Sequence, residues 1–306
     1  MLQSVINFLY RYPKAHLIRY KRFGGYFGYL RMLRGKALME QAAMGLPPLS
    51  SAVDGLTVYF LTGKKYLYQT LFCIRSLDMS SENNYQFVLV DDGSIDKRLT
   101  AQINRQLPGA RIVTRRMIGQ NLAQQLPEAE YPVLYHKRKV YPHIKKLTDI
   151  HTIPGNGWKL VLDSDMLFCN KPTALISWLE NPDKAIYMQD CLESYGYTRA
   201  LMEELCGSPV PNLLNVGVIG LNSSLVNWKN IENWTKTLEE KEGSSYYLEQ
   251  ALTAMLLAGC DAHILPAAEY IVNPEEEAIR NQTGILHHYV DLSKEGYFKQ
   301  AWRKYL

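Results

Sequence analysis

The chain is predicted to be an α/β protein whose doubly wound, mostly parallel sheet carries flanking helices, with a helical extension in front. Two patterns predict this. Short apolar runs of strand length alternate with helix-length segments, and two of those runs end abruptly in acids. Residues 1–45 mix aromatic, aliphatic and basic side chains, among them Phe8, Leu9, Tyr10, Arg11, Leu17, Ile18, Arg19, Tyr20, Lys21, Arg22, Tyr26, Phe27, Tyr29 and Leu30. That mixture suits basic amphipathic helices, either lying on an anionic membrane surface or packed on the body with the basic face in water. Turn and linker residues concentrate at Gly45-Leu46-Pro47-Pro48-Leu49-Ser50-Ser51, dividing an extension over 1–50 from a body over 51–306.

Within the body, Leu56–Thr62 is an apolar strand, Gly63-Lys64-Lys65 a turn and Tyr66–Leu77 a helix. Gln86–Val90 is a second buried strand, closed by Asp91-Asp92-Gly93-Ser94. A helix over Lys97–Gln106 and a short strand over Arg111–Thr114 follow. Tyr141–Ile150 has a helical pattern and leads into the strand Lys159–Leu162. In such sheets, ligands gather beyond the carboxyl ends of the strands, where Asp91 and Asp163 both fall.

Composition narrows the classes. The chain's 306 residues suffice for a full core, and its net charge of +4 is small but uneven. Eight Lys or Arg against Glu40 alone give +7 before residue 41, leaving −3 for the remainder. No nucleic-acid partner is expected. Five scattered cysteines, Cys73, Cys169, Cys191, Cys206 and Cys260, lack zinc or redox spacing and read as free thiols in a reducing compartment. No apolar run approaches the ~20 residues of a membrane span, and no signal-peptide pattern opens the chain. A cytoplasmic location is expected, with the extension as a peripheral contact at the inner membrane surface.

The chemistry concentrates in Leu162-Asp163-Ser164-Asp165. On a strand, Asp163 and Asp165 point the same way, and two anions in one place call for a cation. Magnesium or manganese suits such a pair and keeps positions open for diphosphate oxygens. Leu213–Asn222 is an apolar strand interrupted by Asn215 and Gly217, the glycine marking a close approach. Glu249-Gln250 is a polar pair opening a helix that otherwise has a core pattern. Ile285-Leu286-His287-His288 is an apolar run ending in imidazoles, with Lys294 six residues after His288.

These segments together resemble the GT-A glycosyltransferases, most closely the retaining family eight, the glycogenin and bacterial lipopolysaccharide galactosyltransferase group. The resemblance covers about residues 56–300. It implies that Asp163, Asp165 and His288 hold manganese (or magnesium) against the diphosphate of a nucleotide sugar, with Lys294 as a cation for the leaving group. It further implies that Gln250 and Glu249 form the polar pair beside the anomeric carbon, and that Asp190 contacts the donor sugar, with Asn215 and Gly217 near it. Asp91 and Asp92 are candidates for the base or ribose of the nucleotide. Lys137 and Lys145, from basic runs, are candidates for donor phosphates, and Thr62 and Ser164 complete the donor side. Two departures stand out: Asp291 where relatives usually carry glycine, and Lys294-Glu295-Gly296 where they end in Lys-Pro-Trp. The expected reaction is transfer of a sugar, UDP-linked and with retention, to a hydroxyl of a glycan, lipid-linked or protein acceptor. The rivals are an inverting transferase using Asp190 as base, a sugar-nucleotide-binding scaffold without catalysis, and a nucleotidyltransferase, for which Gly63-Lys64-Lys65 is a thin signature.

Overall fold

The structure, a computed structural model, describes residues 20–155 and 157–306. The amphipathic expectation for Phe8, Leu9, Tyr10, Arg11, Leu17, Ile18 and Arg19 lies outside the described residues. In chain order the helices are α1 (Gly25–Ala43), α2 (Leu67–Ser80), α3 (Lys97–Gln106), α4 (Arg115–Gln125), α5 (Pro132–Val140), α6 (Lys145–His151), α7 (Thr173–Glu180), α8 (Arg199–Cys206), α9 (Trp228–Glu242), α10 (Leu248–Leu256), α11 (Glu276–Asn281) and α12 (Lys294–Lys299). The strands are β1 (Leu56–Thr62), β2 (Tyr85–Asp91), β3 (Arg111–Val113), β4 (Trp158–Leu162), β5 (Met166–Phe168), β6 (Ala185–Gln189), β7 (Leu214–Asn222), β8 (Ala262–Leu265), β9 (Tyr270–Val272) and β10 (Leu286–His288).

Seven strands form one sheet in the order β3-β2-β1-β4-β7-β6-β8, and β5-β10-β9 form a smaller one. β2, β3 and β4 run parallel with β1, and β8 with β6. Only β7 opposes its neighbours β4 and β6. The expected α/β, doubly wound and mostly parallel architecture is therefore present. Reversal of β7 brings its first residues to the carboxyl edge of the other strands.

Strand alternation sorts the apolar residues into two cores. Val58, Phe60, Phe87, Leu89, Leu160 and Leu162 face one layer, in which α1, α2, α7, α12 and the small sheet are packed. Tyr59, Val88, Val90, Val161, Ile219 and Leu221 face the other, covered by α4, α5, α6, α8, α9 and α10. The predicted helix over Tyr141–Ile150 is split. Pro142–Ile144 forms a 3₁₀ turn before α6, as the proline at the first position of that turn permits.

α1 packs on the body through Gly28, Met32, Gly35, Met39 and Ala43, all on one face. A methyl group on Gly35 would lie 2.9 Å from the carbonyl carbon of Phe298 in α12, so glycine sets how closely these helices approach. The stretch after α1 is bonded to the body: Leu49 N donates to Gln106 O and Ser51 N to Pro108 O. Beneath β4, the buried Lys159 ammonium donates to Ile153 O at 2.7 Å and Ser223 Oγ at 2.8 Å. Burial pushes its pKa down to about 8, with Arg111 adding to the effect.

Two outcomes follow from this packing. Gly35→Ala should destabilise the protein by about 1–3 kcal/mol through overpacking. Gly119→Ala, on α4 with open space around it, should stabilise it by about 0.5–1 kcal/mol; urea unfolding of both variants checks the contrast. Between about pH 8 and the ordinary lysine range, unfolded Lys159 keeps a proton that the native residue has lost, so its contribution to stability rises with pH there. The stability of the parent minus that of Lys159→Met, followed by urea unfolding, should grow across that window and stay flat below it.

Candidate active site

β4 ends at Leu162, and the chain crosses to the small sheet through Asp163-Ser164-Asp165 before β5 begins. Backbone bonds fix both ends of the crossing: Asp163 N donates to Gly217 O at 2.8 Å and Tyr289 N to Asp165 O at 2.9 Å. β10 runs antiparallel to β5 with His288 opposite Met166, which places the imidazole beside the acids. His288 Nε2 lies 3.7 Å from Asp163 Oδ2 and 3.5 Å from Asp165 Oδ1. One oxygen from each acid and one imidazole nitrogen lie within 4.8 Å of one another.

The orientation of His288 follows from a chain of forced hydrogen bonds. Gly217 N can only donate, so it fixes Asn215 Oδ1 as acceptor and turns Asn215 Nδ2 to Asp190 Oδ2 at 2.9 Å. Asn215 Oδ1 then faces Gly217 N at 2.8 Å and His288 Nδ1 at 3.1 Å. His288 must therefore donate from Nδ1, which leaves Nε2 directed at the acids. Gly217 makes room: a Cβ there would sit 2.5 Å from Nδ1 and Cε1 of His288. A β-bulge in β7, where Met188 pairs with Asn215 but Tyr187 with Ile219, frees the intervening backbone for these contacts. His287 points to the other side of β10, bonded to Thr283 O at 2.6 Å.

Cations surround the acids. Lys294, at the start of α12, pairs directly with Asp165. Burial would raise the Asp165 carboxyl, but Lys294 and His288 outweigh it and hold it far below the usual carboxylate range. Lys146 of α6, next to the candidate Lys145, sits at the centre. Its buried ammonium lies 2.9 Å from Asp163 Oδ1, 3.4 Å from Glu249 Oε2 and 3.2 Å from Val216 O. Burial opposes its charge, yet Asp163 and Glu249 prevail and raise its pKa above the ordinary lysine value. Glu249 is itself pushed up to about 7 by burial, against the pull of Lys146.

The remaining candidates divide. Gln250 Nε2 reaches Asp190 Oδ2 at 3.2 Å, so Gln250, Asp190, Asn215 and His288 form one network. Glu249 instead meets Lys146 behind it. Asp91 Oδ1 accepts from Gly93 N and Ile95 N, and Asp92 Oδ1 from Ser94 N, so one oxygen of each shapes the turn after β2. Lys145 Nζ donates to Asp92 O at 2.5 Å and belongs to that loop. Thr62 and Ser164 are buried and bond through Thr70, at 2.7 and 2.9 Å, so their hydroxyls link β1, α2 and the Asp163–Asp165 loop internally. Lys137 does not join the cluster; it is buried in an ion pair with Glu239 of α9. Asp291 has φ 48°, the left-handed backbone that glycine takes freely. The substitution therefore keeps the glycine-like turn, and its carboxylate pairs with Arg22.

The O, O, N donor set with a fixed tautomer fits a divalent manganese or magnesium ion. No protein-family profile matches the chain, and no curated protein does. Among solved structures it is similar to the galactosyltransferase LgtC in complex with donor and acceptor sugar analogues (14% identity, TM-score 0.49, 82% of this chain and 100% of that one). It is also similar to mouse xyloside xylosyltransferase 1 (12%, TM-score 0.48, 79% and 98%) and to the glycosyltransferase GlyE of Streptococcus pneumoniae TIGR4 (14%, TM-score 0.46, 81% and 61%).

Gly217→Ala should push the His288 ring off the acids and weaken manganese binding by roughly 10–100-fold, the range for losing the support of a metal ligand. Titration calorimetry with manganese chloride checks this; unchanged affinity would separate His288 from the metal.

Proposed function

We propose that the protein is a metal-dependent glycosyltransferase that moves a sugar from a nucleotide-diphosphate sugar, UDP-linked, to a hydroxyl acceptor with retention at the anomeric carbon. The observation carrying this reading is the convergence of Asp163, Asp165 and a tautomerically fixed His288 beside Lys294. A divalent ion held by those three residues would act as a Lewis acid on the leaving diphosphate. Lys294 would transfer its contact from Asp165 to the diphosphate, stabilising charge as the C1–O bond breaks. Lys146 pairs with Asp163 and orients it from below.

Gln250, Asp190 and Asn215 supply the sugar-facing polar groups. Asp190 already accepts from Cys191 N, Asn215 Nδ2 and Gln250 Nε2, which favours a positioning role over that of a general base and so favours retention over inversion. The loop of Asp91 and Asp92, with Lys145, offers a polar wall for the nucleotide at the same carboxyl edge. Tyr246 and Tyr247 stack edge to face with each other, and Tyr246 with His143, ahead of Glu249. These rings give an acceptor sugar an apolar face to lie on.

Thermal unfolding with nucleoside diphosphates and sugar nucleotides, with and without manganese, tests the reading. A ligand at a hundred times its Kd adds about 2.7 kcal/mol. The shift should need manganese and a uridine diphosphate compound together, and Asp165→Ala should abolish it and lower turnover by roughly 10²–10³-fold. No response to any nucleotide would leave a scaffold reading in its place, and product of inverted anomeric configuration would return Asp190 to the role of base.

A further inference from the structure

We propose that the outward face of α1 docks on an anionic lipid surface. The helix is apolar on both sides. Its inward face, Gly28, Met32, Gly35, Met39 and Ala43, is buried against the body. Tyr26, Leu30, Leu33 and Ala37, spaced i, i+4, i+7, i+11, form a second stripe that faces out. Phe27 is 75% exposed, Tyr26 52% and Leu30 40%. A water-facing helix normally carries polar residues on that side, so an exposed apolar stripe of this length marks a contact surface.

Charge selects the partner. Arg31 and Arg34 flank the stripe and are exposed, and Lys21 and Arg22 precede the helix, while Glu40 is the one acid in residues 1–40. A second copy meeting this face would bring like charges together, whereas an acidic bilayer satisfies the cations and the apolar side chains at once. No described helix is long and apolar enough to cross a membrane, which fits a helix lying in the interface. The surface also adjoins the candidate active site. Gly35 packs on α12, which begins at Lys294, and Arg22 pairs with Asp291 in the loop before it. The lipid contact stands independently of the transferase reading, because it is measured without substrate.

The test is sedimentation of the full chain with phosphatidylcholine vesicles, with and without phosphatidylglycerol. The parent protein should sediment with the acidic vesicles only and be released by salt. Arg31→Glu/Arg34→Glu and Phe27→Ser/Leu30→Ser should each reduce partitioning by roughly tenfold or more. Both pairs are exposed, so thermal midpoints should match the parent and exclude misfolding as the cause. The proposal fails if the parent stays in the supernatant, or if it binds neutral vesicles equally well. It fails too if both variants bind as the parent does, which would move the contact off α1. Lipid-free self-association in sedimentation velocity that Phe27→Ser/Leu30→Ser abolishes would assign the face to a second copy instead.

Discussion

Two carboxylates one residue apart, in the crossing from β4 to β5, converge on one point, and their mutual repulsion organises the region around them. Lys146 answers Asp163 from below, Lys294 answers Asp165 from the start of α12, and His288 stands between them. Each of these comes from a different part of the chain, so the acids draw α6, α12 and β10 to one point. The desolvated Lys146 would be costly alone; two acids and a carbonyl make it tolerable. Removing either acid would therefore disturb the fold locally as well as the chemistry.

The second organising element is β7. Running against its neighbours, it delivers its opening residues to the edge where the other strands finish. Its bulge then presents Asn215 to Asp190 and His288, Val216 O to Lys146 and Gly217 O to Asp163. One irregular segment thus touches most members of the site. Regular pairing could not do this, because alternate residues would turn to the opposite core.

The same geometry explains what was legible in the sequence. Asp163, Asp165 and His288 stand where apolar runs turn polar, and it is the resemblance to family eight that groups them as one site. Lys146 was hidden because Lys145 and Lys146 are adjacent on a helix, about 100° apart, and sequence does not fix which one faces inward. Lys137 belonged to a basic run whose helix turns it to Glu239 instead. Thr62 and Ser164 look available as hydroxyls until Thr70 is seen to join them. The mostly parallel, doubly wound sheet followed from alternation of elements, whereas its strand order and the reversal of β7 rest on long-range pairing that no local pattern records. Asp291 shows the limit of reading by residue type. Glycine is the usual occupant of its backbone geometry, yet the turn forms with an acid held by Arg22.

The edges of the large sheet carry a separate consequence. β3 and β8, at its two ends, are three and four residues long, against seven for β1 and nine for β7. β3 begins at Arg111, and β8 carries His263 in a hydrogen bond with Asp183. Short, polar borders offer little unpaired backbone to another chain. Copies that collide at high concentration therefore find no long strand edge to join.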